Sequence, residues 1–354
     1  MDEPRRAQVV GTGLIGGSIG LALRRQGWRV TGSDHSAEVV ARAHALGAID
    51  EVGRDAGAEI TFVATPVGAV AHEVAAALDA GAALVTDVGS VKTPMLELMA
   101  DRRYVGGHPM AGSELEGVDG SRPDLFEGAT WVLTPVSGTD DDAFAAVRTI
   151  VSSLGASVVA IPPERHDALV AMVSHVPHLT AATMMRLAAA RSEEHRAVLR
   201  LAAGGFRDMT RIAAGHPGIW PDICAENRDA ILTELDELIG GLADVRRIVA
   251  DGDREQLLEV LSEARRARVN LPAHVANPAD LIELRLTIPD REGVLGPIFT
   301  LATDLDVNIV DFEVAHSMEG PQGVLILVVD ADRGERFQGG LMAQGYRPSM
   351  RPVE

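Results

Sequence analysis

One histidine stands among small residues in Gly106-Gly107-His108-Pro109-Met110-Ala111-Gly112-Ser113-Glu114. Glycine, alanine and proline leave room beside the imidazole for a ligand. Histidine is the ordinary side chain for moving a proton near neutral pH. Ser113 and Glu114 follow as polar partners within reach. The opposing reading is a glycine-rich turn that happens to carry a histidine. A second candidate, Ser90 in Asp87-Val88-Gly89-Ser90-Val91-Lys92, could orient the His108 imidazole through a hydrogen bond. Arg207 and Arg211 are four apart, so a helix would put both on one face, where an anion could bind or water could solvate them. His175 and His178 flank Pro177 on what reads as a kinked helix. His166 is a weaker candidate, Trp220 as a lone Trp reads more often as core, and Cys224 reads as structural.

A cofactor signal precedes these residues. Gly11-Thr12-Gly13-Leu14-Ile15-Gly16 lies between a first strand and a first helix. The first glycine suits a tight turn, the second the approach of a pyrophosphate, and the third close helix–strand packing, with the helix N-terminus facing the phosphates. Asp34 ends the second strand, where a carboxylate can bond both ribose hydroxyls and would repel a 2′-phosphate. The expected cofactor is therefore NAD, with Asp34 as a cap of the next helix the alternative. Thr65-Pro66 ends a further strand at the sheet edge where ligands bind, although Thr65 could also cap a helix. No metal site is expected.

These residues need a frame. Over residues 7–162 short β-branched runs alternate with helical stretches, which implies right-handed crossovers and a mainly parallel, Rossmann-type sheet. Strands are expected at Ala7–Val10, Arg29–Ser33, Glu59–Ala64, Ala83–Val88, Arg103–Gly106, Ala129–Leu133 and Ser157–Ile161. Helices are expected at Leu14–Gln26, Ala37–Leu46, Val67–Leu78, Pro94–Asp101 and Asp141–Leu154. Residues 163–275 lose the strand signal and read as all-helical, with apolar faces wide enough to pack on a second subunit. Pro272 to Pro278 reads as a linker. Residues 280–354 show the order βαββαβ, a ferredoxin-like arrangement. Three domains result: 1–162, 163–275 and 280–354.

The whole chain sets limits on partners. Its 51 acidic and 32 basic residues leave a net charge of −19, which argues against nucleic acid and anionic membranes. An anionic substrate would need a local cluster of cations. One cysteine allows no internal disulfide and suits a reducing cytoplasm. The polar start, Met1 to Gln8, does not read as a signal peptide, and no uninterrupted apolar run approaches the ~18 residues of a membrane span.

Five segments in order, Gly11–Leu23, Asp87–Lys92, Gly106–Glu114, Ser174–His178 and Gly204–Ala213, resemble the motif series of the prephenate dehydrogenase family. The C-terminal residues resemble an ACT domain, a regulatory amino-acid-binding module that some members carry. The resemblance implies NAD-dependent oxidation of prephenate with loss of CO2, giving 4-hydroxyphenylpyruvate in tyrosine biosynthesis. It implies that His108 accepts the hydrogen bond of the ring hydroxyl as hydride departs, and that Ser90 holds the imidazole and touches the nicotinamide end. Arg211 would bind a substrate carboxylate. His178 would lie near the substrate, with Arg207 and Trp220 in the same pocket and Ser113 and Glu114 at its mouth. In the ACT-like part, Asp290, Gly293 and Asn308 would form an effector site for tyrosine, with Asp290 as a helix cap the alternative. A homodimer is implied. Arogenate, or an amino-substituted prephenate, is the rival substrate. A sensor of NAD and amino acids without turnover is the rival class.

Overall fold

The computed structural model describes residues 4–113, 115, 117–192, 202, 204–269, 281–289, 293–305, 307–316 and 322–352. Glu114 and Asp290 lie outside the described residues. Contacts divide the chain into two compact units, residues 1–257 and 258–354.

In the first unit the β-branched runs form β1 (Arg6–Val10), β2 (Arg29–Ser33), β3 (Glu51–Val52), β4 (Ile60–Val63), β5 (Val85–Asp87), β6 (Tyr104–Pro109), β7 (Thr130–Thr134) and β8 (Ser157–Ala160). They pair in the order β3-β2-β1-β4-β5-β6-β7-β8. The pairs from β3 through β6 are parallel, joined through the helices α1 (Leu14–Arg25), α2 (Ala37–Ala45) and α3 (Val67–Asp79) and by 3₁₀ turns. β7 runs antiparallel to β6. Its connection holds only the 3₁₀ turn Val118–Gly120 among the described residues, whereas a parallel return usually crosses the sheet through an α-helix. A further helix, α4 (Asp141–Ser153), leads to β8.

Both faces of this sheet are buried. Along β4, Ile60 and Phe62 join a core with Ile19 and Leu23 of α1, Val40 of α2 and Val147 of α4. Their neighbour Val63 joins a separate core with Val70 and Val74 of α3. This period-two division puts α1 and α2 on one side and α3 on the other. The crossovers therefore change sides between the adjacent strands β1 and β4, which is where doubly wound sheets bind ligands.

Two sequence expectations change here. The two-residue β3 is too short to show a period. The segment expected as a helix at Pro94–Asp101 winds instead as two 3₁₀ turns, Thr93–Met95 and Leu98–Ala100. Met95 and Met99 are both buried at helical spacing, which is why the segment reads as a helix.

After β8 the structure is helical. α5 (Pro163–Val170) passes through a π-turn, Ala171–His175, into α6 (Val176–Ser192). Pro177 lacks an N–H and would crowd the carbonyl four residues earlier, and the wider turn relieves that conflict. By length and mean hydropathy (1.3) the run Pro163–Arg191 matches a membrane span, which a search for uninterrupted apolar runs does not detect. Its His166, Asp167 and His175 are nevertheless buried and hydrogen-bonded within the same unit. The helices Gly204–Thr210, Trp220–Glu226, Arg228–Asp251 and Arg254–Val269 follow. Met172, Val173, Met209, Ile239 and Leu242 stay exposed on this helical part.

The second unit contains β9 (Leu281–Pro289), a helix Gly296–Asp304, β10 (Ile309–His316), β11 (Gln322–Asp330), a helix Ala331–Ala343 and β12 (Ser349–Pro352). The sheet order is β10-β11-β9-β12, antiparallel throughout. Leu284, Leu286 and Ile288 alternate along β9 and pack with Leu325, Leu327, Ile298 and Phe337, so one face of the sheet carries the core.

Candidate active site

The glycine-rich turn follows β1 at the switch point. Gly11 has φ +90°, and a Cβ on it would lie 2.4 Å from the Ala64 carbonyl at the end of β4. A Cβ on Gly16 would meet the Gly11 carbonyl at 1.9 Å. The fold itself therefore requires these two glycines. Gly13 differs: a Cβ there would meet nothing within 4 Å. It is the N-cap of α1, with no side-chain cap and no acidic residue in the first turn. Open space before uncapped N–H groups at a helix N-terminus is a fit for phosphate. Asp34 is held beside it, accepting from Thr12 N at 2.8 Å and Ser36 N at 3.0 Å. Ser36, not Asp34, caps α2. The Thr65 hydroxyl is buried without a hydrogen-bond partner, and α3 starts from Pro66 with no side-chain cap. Thr65 is thus no helix cap, and its orphaned oxygen suits a bound group. Together Gly11 to Gly16, Asp34, Thr65 and Pro66 fit a dinucleotide.

His108 sits near the carboxyl end of β6 and is 9% exposed. Its Nδ1 lies 2.9 Å from Nε2 of His166, and His166 Nδ1 lies 2.7 Å from Oδ1 of Asp167. His166 and Asp167 belong to α5 and are buried. Asp167 also accepts from the backbone N–H of Lys92 at 2.8 Å and of Thr93 at 2.7 Å. Burial pushes the Asp167 carboxyl up, and the hydrogen bonds from His166, Thr93 and Lys92 outweigh it, so the net shift is downward. Burial, followed by His166, Lys92 and His175, holds His108 well below the ordinary histidine value. The imidazole is therefore neutral and able to accept a proton.

A buried ion pair supports the strand end. Lys92 and Asp87, both fully buried, are bonded to each other. Asp87 also accepts from Tyr104 OH at 2.8 Å, Gly89 N at 2.9 Å and Gly107 N at 3.0 Å. Burial next to this carboxylate raises the Tyr104 phenol well above its ordinary value.

A cleft of about 600 Å³ brings together Leu14, Ser113, His178, Arg211, His216 and Trp220. His178 stacks on Trp220 with ring centroids 3.7 Å apart and 15° between planes, and burial lowers its pKa. His175 is buried, accepts from Asn227 Nδ2 at 3.2 Å and packs edge-on to Trp220. Burial, followed by the opposing pulls of Asp167 and His166, lowers its pKa to about 4.

The structure thus gathers Ser113, His178, Arg211 and Trp220 around one cleft beside the glycine-rich turn. Arg207 is exposed and is not among the residues lining that cleft. The helix carrying it ends at Thr210 and Arg211 opens a 3₁₀ turn, so the two arginines do not share one regular helical face. Ser90 makes no hydrogen bond to His108 among the described residues, and His166 takes the place expected of it. Sequence reasoning missed Asp167, Asn227 and His216. Only the adjacent His166-Asp167 pair carried a signal that could have drawn attention.

A dinucleotide cradle at the switch point of a doubly wound sheet places the chain in the class of α/β dinucleotide-binding dehydrogenases. Residues 19–160 match the nucleotide-binding domain of prephenate dehydrogenase and residues 162–263 its dimerization domain. A prephenate dehydrogenase of Bacillus subtilis is 34% identical over 341 residues, covering 92% of each chain. The crystal structure of Aquifex aeolicus prephenate dehydrogenase in complex with hydroxyphenyl propionate and NAD+ superposes with a TM-score of 0.70 at 31% identity, covering 76% of this chain and 99% of that one. Synechocystis arogenate dehydrogenase gives a TM-score of 0.65 at 30% identity, covering 75% and 99%. The chain belongs to the prephenate dehydrogenase family.

The buried histidines make stability depend on pH. With His175 near 4 in the folded chain and near 6.5 unfolded, the unfolded chain binds a proton that the folded chain excludes. Stability is therefore full above about pH 6.5 and falls as pH drops towards 4, by about 3 kcal/mol from His175 alone. His108 acts in the same direction. Denaturant midpoints between about pH 7 and about pH 4.5 should fall, with a shallower slope in His175→Gln. An equal slope in both proteins would show that His175 is not held neutral.

Proposed function

We propose that this NAD-dependent enzyme oxidises and decarboxylates prephenate to 4-hydroxyphenylpyruvate. The observation that carries the reading is a neutral, buried histidine at the carboxyl edge of the sheet that also forms the dinucleotide cradle. NAD, when bound, supplies the hydride acceptor. Gly11, Gly13, Leu14, Ile15 and Gly16 would hold its pyrophosphate, Asp34 its ribose hydroxyls, and Thr65, Pro66 and Ser90 its nicotinamide end. His108 accepts the proton of the ring hydroxyl as hydride leaves the same carbon. Arg211 binds a carboxylate of the dianion, with His178 held by Trp220 beside it. Loss of CO2 is driven by aromatisation of the ring, so the remaining task of the site is to position the substrate and exclude water. Arogenate is the second reading, supported by the Synechocystis relative.

The domain division proposed is 1–162 for the cofactor, 163–275 for substrate and dimer contacts, and 280–354 for regulation. The match to a dimerization domain and the exposed apolar residues Met172, Val173, Ile239 and Leu242 support a homodimer. The βαββαβ order and antiparallel sheet of the second unit support a ferredoxin-like ACT domain. Within that unit Asn308 lines a cavity of about 390 Å³ with Asp330, Asp332 and Arg333, which suits the charged ends of an amino acid such as tyrosine.

Prephenate with NAD should give the absorbance of the reduced cofactor, with a higher kcat/KM than arogenate. The reverse order would move the assignment to arogenate, and no turnover of either would favour a sensor. In the same assay His108→Asn should lower kcat roughly 10²–10⁴-fold, with NAD affinity unchanged. Gly13→Ala adds a methyl group into open space. It should leave Tm nearly unchanged and weaken NAD binding by about tenfold or more, and unaltered binding would argue against the phosphate placement. Tyrosine should slow the full chain but not a chain ending at Pro278, and equal insensitivity of both would remove the effector reading.

A further inference from the structure

We propose that His166 and Asp167 are positioning residues for His108, fixing its hydrogen on Nδ1 and leaving Nε2 as the proton acceptor. This rests on the reading of His108 as the base. The Asp167 carboxylate only accepts, and its oxygens already take the N–H groups of Lys92 and Thr93. The hydrogen in the 2.7 Å contact to His166 must therefore sit on His166 Nδ1. With that single hydrogen, His166 presents a lone pair at Nε2, which accepts from His108 Nδ1–H across 2.9 Å. That leaves the lone pair of His108 on Nε2.

The surroundings keep this order in place. His166 is 1% exposed and Asp167 3% exposed. The backbone carbonyl of Asp167 also accepts from Asn227 Nδ2 at 2.9 Å. The titratable groups acting on His108 are His166, Lys92 and His175; Lys92 is paired with Asp87, and His175 is bonded to Asn227. His108 belongs to the segment matching the nucleotide-binding domain, and His166 and Asp167 to the segment matching the dimerization domain. The helical segment thus sets the tautomer of a base carried by the sheet. Ser90, the partner expected from sequence, makes no hydrogen bond to this ring among the described residues.

The test reads the tautomer directly. In the full-length protein labelled with ¹⁵N at histidine, the His108 signals are identified by their loss in His108→Asn. They should report hydrogen on Nδ1 and a bare Nε2. Hydrogen on Nε2, the pattern that a doubly protonated His166 would impose, overturns the proposal. His166→Leu should give mixed tautomers and lower kcat roughly 10²-fold, with KM for prephenate and affinity for NAD unchanged. His166→Gln, whose Oε1 can accept from Nδ1–H, should recover much of the loss. An unaltered kcat in His166→Leu overturns the proposal. If His166→Leu does not fold, the wild-type tautomer and the Gln variant decide. Failure of the wild-type enzyme to turn over prephenate or arogenate would count against the function instead, and the tautomer would still decide the relay.

Discussion

The site depends on the carboxylate of Asp167 being satisfied. A buried charge is tolerated only when hydrogen bonds replace the water it has lost. Three N–H groups do so here, from Lys92, Thr93 and His166, and bonds to a charged acceptor contribute about 1.5–3 kcal/mol each. The same contacts fasten the start of α5 to the loop after β5. The network continues from there. The side chain of Lys92 binds Asp87, and Asp87 takes the N–H of Gly107, the residue before His108. The backbone and the ring of His108 are thus fixed by two carboxylates that meet at one lysine.

Around this rigid centre the parts divide their work. Gly11 and Gly16 are required by the fold, while Gly13 is left open for a ligand. The chain carries a net charge of −19, so an anionic substrate meets long-range repulsion from the protein as a whole. Arg211, His178 and His216 converge on the cleft beside the glycine-rich turn. Of these, Arg211 places a guanidinium where the molecule's overall charge provides no attraction. The stacked Trp220 shields one face of His178, and burial lowers the pKa of His178.

Much of this was legible from local pattern. Apart from the two-residue β3, the strands from β1 to β6, the glycine-rich turn and Asp34 are written in runs of a few residues, where period and turn chemistry suffice. The direction of β7 was not, because a buried strand has the same apolar pattern whichever way it runs. Arg207 was placed with Arg211 on the assumption of a continuous helix, and the helix stops between them. The partner of His108 was the largest omission. His166 lies 58 residues away, and only the packing of α5 against the sheet makes them neighbours. Ser90 was favoured because it follows a neighbouring strand and carries a hydroxyl able to bond the imidazole, but among the described residues it makes no hydrogen bond to that ring.

The π-turn at Ala171–His175 lies between two jobs done by one helix. Before it, His166 and Asp167 engage the sheet, and after it His178 faces the cleft. A π-turn holds more residues per turn than an α-turn, so it resets the angular phase of everything beyond it. The length of this segment is therefore a fixed quantity, unlike that of a surface loop. Removing one residue there would preserve composition and helical propensity, yet rotate His178 relative to the relay. The helix behaves as a keyed shaft, with the bulge as its key.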